Sequence, residues 1–104
     1  MPHDYKLTQV AKNDLKEIWR YTVQNWSEQQ AEKYIYQLEK KFQDLVQNPH
    51  LGRSRSDIQK GYRSLLEGQH IIFYRVTNDI IEIIGIPHAS MDVETHLYPQ
   101  TEDK

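Results

Sequence analysis

The stretch Tyr21-Thr22-Val23-Gln24-Asn25-Trp26-Ser27-Glu28-Gln29-Gln30-Ala31 decides the fold, because one helical pattern ends in it and another begins almost at once. Ser27 and Gln30 fit the capping box S-x-x-Q, in which each side chain satisfies the other residue's free backbone N–H at a helix start. A helix is therefore predicted to begin near Glu28. Its apolar stripe runs through Ala31, Tyr34, Ile35, Leu38, Phe42, Leu45 and Val46, all within about 120° on a helical wheel. It ends near Asn48, since Pro49 disfavours the helical conformation for the residue before it. Upstream, Thr8 is a good N-cap for a first helix, whose stripe is Ala11, Leu15, Ile18, Trp19 and Thr22. Lys12, Asp14, Lys16 and Glu17 lie outside that stripe. Only Asn25 and Trp26 remain to join the two helices, and so short a link forces an antiparallel hairpin whose stripes face a common core.

Outward from the hairpin, Asp4 to Leu7 reads as a short extended segment. His50 to Lys60 loses periodicity and has loop composition. After Gly61 the pattern becomes that of strands: Tyr62 to Leu66, a turn at Glu67-Gly68, Gln69 to Val76, a turn at Thr77-Asn78-Asp79, and Ile80 to Ile86. The fold class is α+β: an N-terminal strand, an antiparallel helical hairpin, then a three-stranded antiparallel meander. The last two strands are apolar on both faces. One face packs on the helices, so the other is either covered by the C-terminal segment or forms a groove for a partner. No helix is expected beyond Pro87.

One core can organise all of residues 1–104, and the polar tail from about residue 99 is expected to be flexible. There is no cysteine, which excludes disulfides and thiolate metal sites and makes the cytoplasm the default compartment. No signal peptide or membrane-spanning run is evident, so no membrane association is expected. The net charge of -2 hides a gradient. Residues 1–48 balance seven cations against seven acids, residues 49–78 carry five cations against two acids, and residues 79–104 carry one cation against six acids. The only basic region is thus the middle, too short a stripe to imply direct DNA binding.

Several local signatures fall in a telling order. They are Asp14-Leu15 through Ile18-Trp19-Arg20-Tyr21, then Trp26, Gln30-Ala31 and Tyr34; Asn48-Pro49-His50-Leu51-Gly52-Arg53; Gly68-Gln69-His70-Ile71-Ile72-Phe73-Tyr74-Arg75; and Ile86-Pro87-His88-Ala89-Ser90-Met91-Asp92. In this order and spacing they resemble the ParE branch of the RelE/ParE toxin superfamily over most of residues 7–97. The resemblance implies the toxin of a type II toxin–antitoxin pair, neutralised by a ParD-like antitoxin and acting on DNA gyrase. It implies no cofactor, and a monomer or weak dimer when free of antitoxin.

On that reading the basic loop (Arg53, Arg55) and the C-terminal segment (His88, Met91, Asp92) present the target-binding surface. Trp26, Tyr36, Ile72 and Tyr74 are the antitoxin-binding candidates, since aromatic residues dominate interface hot spots. RelE-like relatives instead cut messenger RNA on the ribosome, which needs a base, an acid and cations for the phosphate. Arg63, Arg75 and His88 are the candidates for that alternative. A structural role competes, with the arginines paired to Asp57, Glu67 or Glu82 and His88 packed beside Pro87. The acidic tail also argues against an RNA backbone nearby. His88, Asp92 and His96 have helical i, i+4, i+8 spacing, but no metal site is expected where no helix is. A third reading is a toxin-like domain that has lost activity.

Overall fold

The computed structural model of the chain describes residues 2–97, so the expectation of a flexible tail from about residue 99 lies outside the described residues. Strand β1 (Asp4–Leu7) leads into helices α1 (Gln9–Asn25) and α2 (Glu28–Gln47). Strands β2 (Arg53–Ser54), β3 (Arg63–Glu67), β4 (His70–Thr77) and β5 (Ile80–Gly85) follow, with a short helix α3 (Val93–Leu97) at the end. The two caps read from the sequence are present: Thr8 Oγ1 accepts from the Ala11 amide and Ser27 Oγ from the Gln30 amide. No helix among the described residues is long and apolar enough to cross a membrane.

The strands form one sheet in the order β1-β5-β4-β3-β2. The meander β3-β4-β5 is antiparallel as expected, while β1 joins its far side parallel to β5, with Asp4 opposite Ile80 and Leu7 opposite Ile83. Asn78 and Asp79 close the β4–β5 turn at φ 52° and 60°. Short polar side chains tolerate that left-handed region, and a two-residue turn of this kind matches the twist of the strands it joins.

Two elements depart from expectation. Part of the loop after α2 is a two-residue strand, Arg53–Ser54, which pairs with Ser64 and Arg63 and makes the sheet five-stranded. A segment so short shows no periodicity in the sequence. A helix also forms beyond Pro87, because Asp92 caps it: its carboxylate accepts from the Thr95 amide and hydroxyl.

Both faces of the sheet are covered. On one side α1 and α2 pack Ala11, Ile18, Leu38, Phe42, Leu45 and Val46 against Ile72, Tyr74, Ile81 and Ile83. On the other, Tyr62, Phe73 and Ile84 meet Leu97 of α3, with Ile58 and Val93 at the margin. This explains the absence of clean alternation in β4 and β5. Gly85 lets α3 come this close, because a Cβ there would stand 2.5 Å from Leu97 Cδ2.

The α1 stripe also differs from its reading. Asp14 is buried and Trp19 is 37% exposed. Asp14 lies three residues after Ala11 and four before Ile18, on the inward face, and its charge is met there. Its Oδ2 accepts from the buried Ile86 amide at 2.7 Å, and both carboxylate oxygens lie within 2.9 Å of His96 Nε2.

Candidate functional site

The segment between α2 and β2 is built from its main chain outward. Asn48 ends α2, its carbonyl accepting from the Leu51 amide and its side chain from His50. Tyr74, fully buried on β4, reaches the segment with its hydroxyl, which donates to the Pro49 carbonyl (2.8 Å) and accepts from the Gly52 amide (2.9 Å). Arg63, opposite Tyr74 on β3, donates through Nε and Nη2 to the Gly52 carbonyl (3.0 and 2.6 Å) and through Nη2 to the His50 carbonyl (3.4 Å). Only glycine fits at 52, since a Cβ would stand 2.6 Å from the Ser64 carbonyl oxygen and 2.8 Å from the Tyr74 ring.

Register places Arg53 opposite Ser64, and Ser64 opposite Phe73, so all three rise from the face away from α1 and α2. Arg55 lies over the Phe73 ring, 5.2 Å from its centroid, and pairs with Asp57 at 3.1 and 3.2 Å. That pairing pulls the exposed Asp57 carboxyl below its ordinary value. Helix α3 covers the same face through Leu97, and Met91, just before it, is exposed. The target-binding candidates Arg53, Arg55 and Met91 therefore lie on or beside one face. Asp92 is engaged in capping α3. His88 lies elsewhere.

His88 bridges His70 at the start of β4, with ring centroids 5.3 Å apart, and its Nδ1 pairs with Ser90 Oγ. His70 Nδ1 in turn lies 2.7 Å from the Tyr34 hydroxyl, which also contacts the Glu67 carbonyl and the Gln69 amide. Burial, and secondarily the neighbouring His88, lower His70 to about 4, while burial raises the Tyr34 hydroxyl. Both are thus uncharged near neutral pH.

The ribonuclease candidates are not brought together. Arg63 pairs in register with Tyr74, whereas His88 bridges His70, four residues along β4 and roughly 13 Å away at strand rise. Arg75 follows Tyr74 and so points to the opposite face from Arg63, where it pairs with Glu82 at 2.7 Å. The His88, Asp92 and His96 side chains are likewise engaged with Ser90, Thr95 and Asp14. Among the described residues no three His, Asp or Glu groups converge as a metal site.

The helical hairpin carries an open groove of about 600 Å³ lined by Leu15, Trp19, Val23 and Ile35, with Lys16 and Arg20 on its rim. Of the antitoxin candidates, Trp26 is 74% and Tyr36 65% exposed, and Tyr36 borders a smaller hollow with Tyr5 and Glu39. Ile72 and Tyr74 are corrections: both are fully buried beneath the hairpin, so neither presents a side chain to a partner. Periodicity alone assigns the groove residues Leu15, Trp19 and Ile35 to the core. Val23, four residues beyond Trp19 and thus on its face, is the signal that the apolar stripe is wider than the core requires.

Comparison with known proteins places these features in context. The family model described as the ParE toxin of the type II toxin–antitoxin system parDE matches residues 5–93. The chain is 38% identical over 98 residues to Toxin ParE1 of Mycobacterium tuberculosis (strain CDC 1551 / Oshkosh), covering 93% of this chain and 100% of that protein. It is 37% identical over 93 residues to Toxin ParE1 of Caulobacter vibrioides, covering 89% and 96%. Among solved structures, the chromosomal ParDE toxin–antitoxin system of P. aeruginosa superposes with a TM-score of 0.71 at 23% identity, covering 85% of this chain and 96% of the matched one.

Proposed function

This chain belongs to the ParE family, the toxins of type II toxin–antitoxin systems, and on that footing we propose that it is a protein inhibitor of DNA gyrase, silenced by a ParD-like antitoxin. The observation that carries the inhibitor reading over the hydrolytic one is the separation of Arg63, Arg75 and His88. Phosphate chemistry needs its acid, base and cations within hydrogen-bond reach of one substrate. Here one arginine fastens a loop, the other faces the opposite side of the sheet, and the histidine lies at the far end.

What remains exposed suits two protein contacts. On the face bearing Arg53, Arg55 and Met91, Arg55 is stacked on Phe73 and paired with Asp57, leaving the exposed Arg53 as its cation and Met91 as its apolar point, which suits an acidic protein target. The groove along Leu15, Trp19, Val23 and Ile35 has an apolar lining suited to the apolar stripe of an antitoxin helix, and Trp26 and Tyr36 are further exposed aromatics on the same hairpin.

The test is supercoiling by purified gyrase with the toxin added in stoichiometric excess, with and without antitoxin. Inhibition that the antitoxin relieves is the expected result. Unchanged supercoiling, together with translation-dependent cleavage of messenger RNA, would replace this reading with the ribonuclease one.

A further inference from the structure

The polar ends of Tyr74 and Arg63 converge on the main chain of residues 49–52. A phenylalanine would fill the same buried space as Tyr74. A hydroxyl in a fully covered position is unfavourable unless bonded, and this one bonds a carbonyl and an amide of the same loop. Arg63 likewise directs its fork onto two loop carbonyls, and among the described residues it forms no ion pair, so its donors are committed to the loop main chain. Gly52 is pressed between the Ser64 carbonyl and the Tyr74 ring. The loop is thereby fixed at three points. What it offers outward are Leu51, 42% exposed, and the cation of Arg53.

Resting on the toxin reading above, we propose that Tyr74 and Arg63 are positioning residues that hold residues 49–53 as a preformed contact element for the toxin's protein target. Leu51 supplies its apolar point and Arg53 its charge. Binding to a flexible loop costs ordering entropy at the moment of contact, and a loop already fixed avoids that cost. The hydroxyl of Tyr74 therefore acts through the loop and touches no partner itself.

The experiment compares the wild-type protein, Tyr74→Phe, and Ile81→Val as a control that weakens the core away from the loop. Three quantities are read: thermal midpoint, amide exchange at residues 50–53, and the toxin concentration that halves gyrase supercoiling. Tyr74→Phe is expected to stay folded, to exchange about tenfold faster at those amides, and to need about tenfold more toxin. Ile81→Val is expected to keep wild-type potency even if its midpoint falls as far. Equal potency of Tyr74→Phe and wild type overturns the proposal, as does loss of potency in the control that tracks its midpoint. If Tyr74→Phe does not fold, Arg63→Gln makes the same comparison. If the wild type arrests growth without inhibiting gyrase, the gyrase reading falls alone, and equal growth arrest by wild type and variant then overturns the positioning role.

Discussion

The imidazole of His96 lies 2.8 Å from the carboxylate of Asp14, 82 positions away in the chain, and this contact fastens α3 to the first helix beside the end of β5. Asp14 is the more critical of the pair, because it also accepts the buried Ile86 amide. Asp14→Ala is expected to leave that amide unsatisfied and to cost about 2–3 kcal/mol, lowering the thermal midpoint by roughly 10 °C or more. His96→Ala is expected to cost less, about 1 kcal/mol. A double-mutant cycle followed by urea unfolding checks the coupling, and strictly additive losses would show that the contact contributes nothing.

Stability is expected to fall as pH drops from about 6.5 to 4. His70 is lowered to about 4 in the folded chain, below its ordinary value of 6.5, so the unfolded chain binds a proton in that window and the folded one does not. The contribution is complete above about 6.5, is lost progressively on acidification, and levels off below about 4. Since His70 is only half-buried, screening limits the loss to about 1–2 kcal/mol. Urea midpoints at pH 7.5 and 4.5 measure it, and His70→Gln should show a smaller drop between the two.

Trp19→Ala should separate silencing from toxicity. The side chain is 37% exposed in the hairpin groove, so its loss affects the core little while removing the largest apolar contact a docked helix would make. Antitoxin affinity is expected to fall by about 2 kcal/mol, close to thirtyfold, with gyrase inhibition retained. Calorimetric titration with the antitoxin checks the first part, and equal affinity would move the docking site elsewhere on the hairpin.

Arg53→Glu is expected to raise the inhibitory concentration at least about tenfold while changing stability by no more than about 0.5 kcal/mol, because the side chain is exposed on a two-residue edge strand. His88→Ala should leave inhibition near the wild-type level, since His88 lies at the other end of β4. The reverse pattern in a supercoiling assay would relocate the target surface.

The hairpin was legible because its signals are local: two caps, a two-residue connection, and stripes at helical spacing. The Asn78-Asp79 turn was legible for the same reason. Asp14 was missed because an acid beside Lys12 and Lys16 reads as solvent-facing, and nothing nearby in sequence reveals an amide at 86 and an imidazole at 96 awaiting it. The candidate ribonuclease group failed through register. Residue types alone do not say that Arg75 and Arg63 point to opposite faces or that His88 is four pairs from Arg63. Of the proposed target surface, Arg53 and Arg55 stand out in the sequence as a basic loop and Met91 as part of the C-terminal segment. Tyr74, whose hydroxyl bonds the loop from inside, reads in the sequence as an antitoxin-binding aromatic, since nothing local reveals the carbonyl and amide it meets.

The parallel seam between β1 and β5 has a consequence for how the molecule comes into being. Asp4 has no strand to pair with until Ile80 is in place, so β1 becomes a strand only once the chain has folded back across both helices and the meander. Without β5 there is no strand to join β1 to the rest of the sheet. For a protein whose business is harm, the framework behind residues 49–53 is thus complete only when two distant stretches of chain have met.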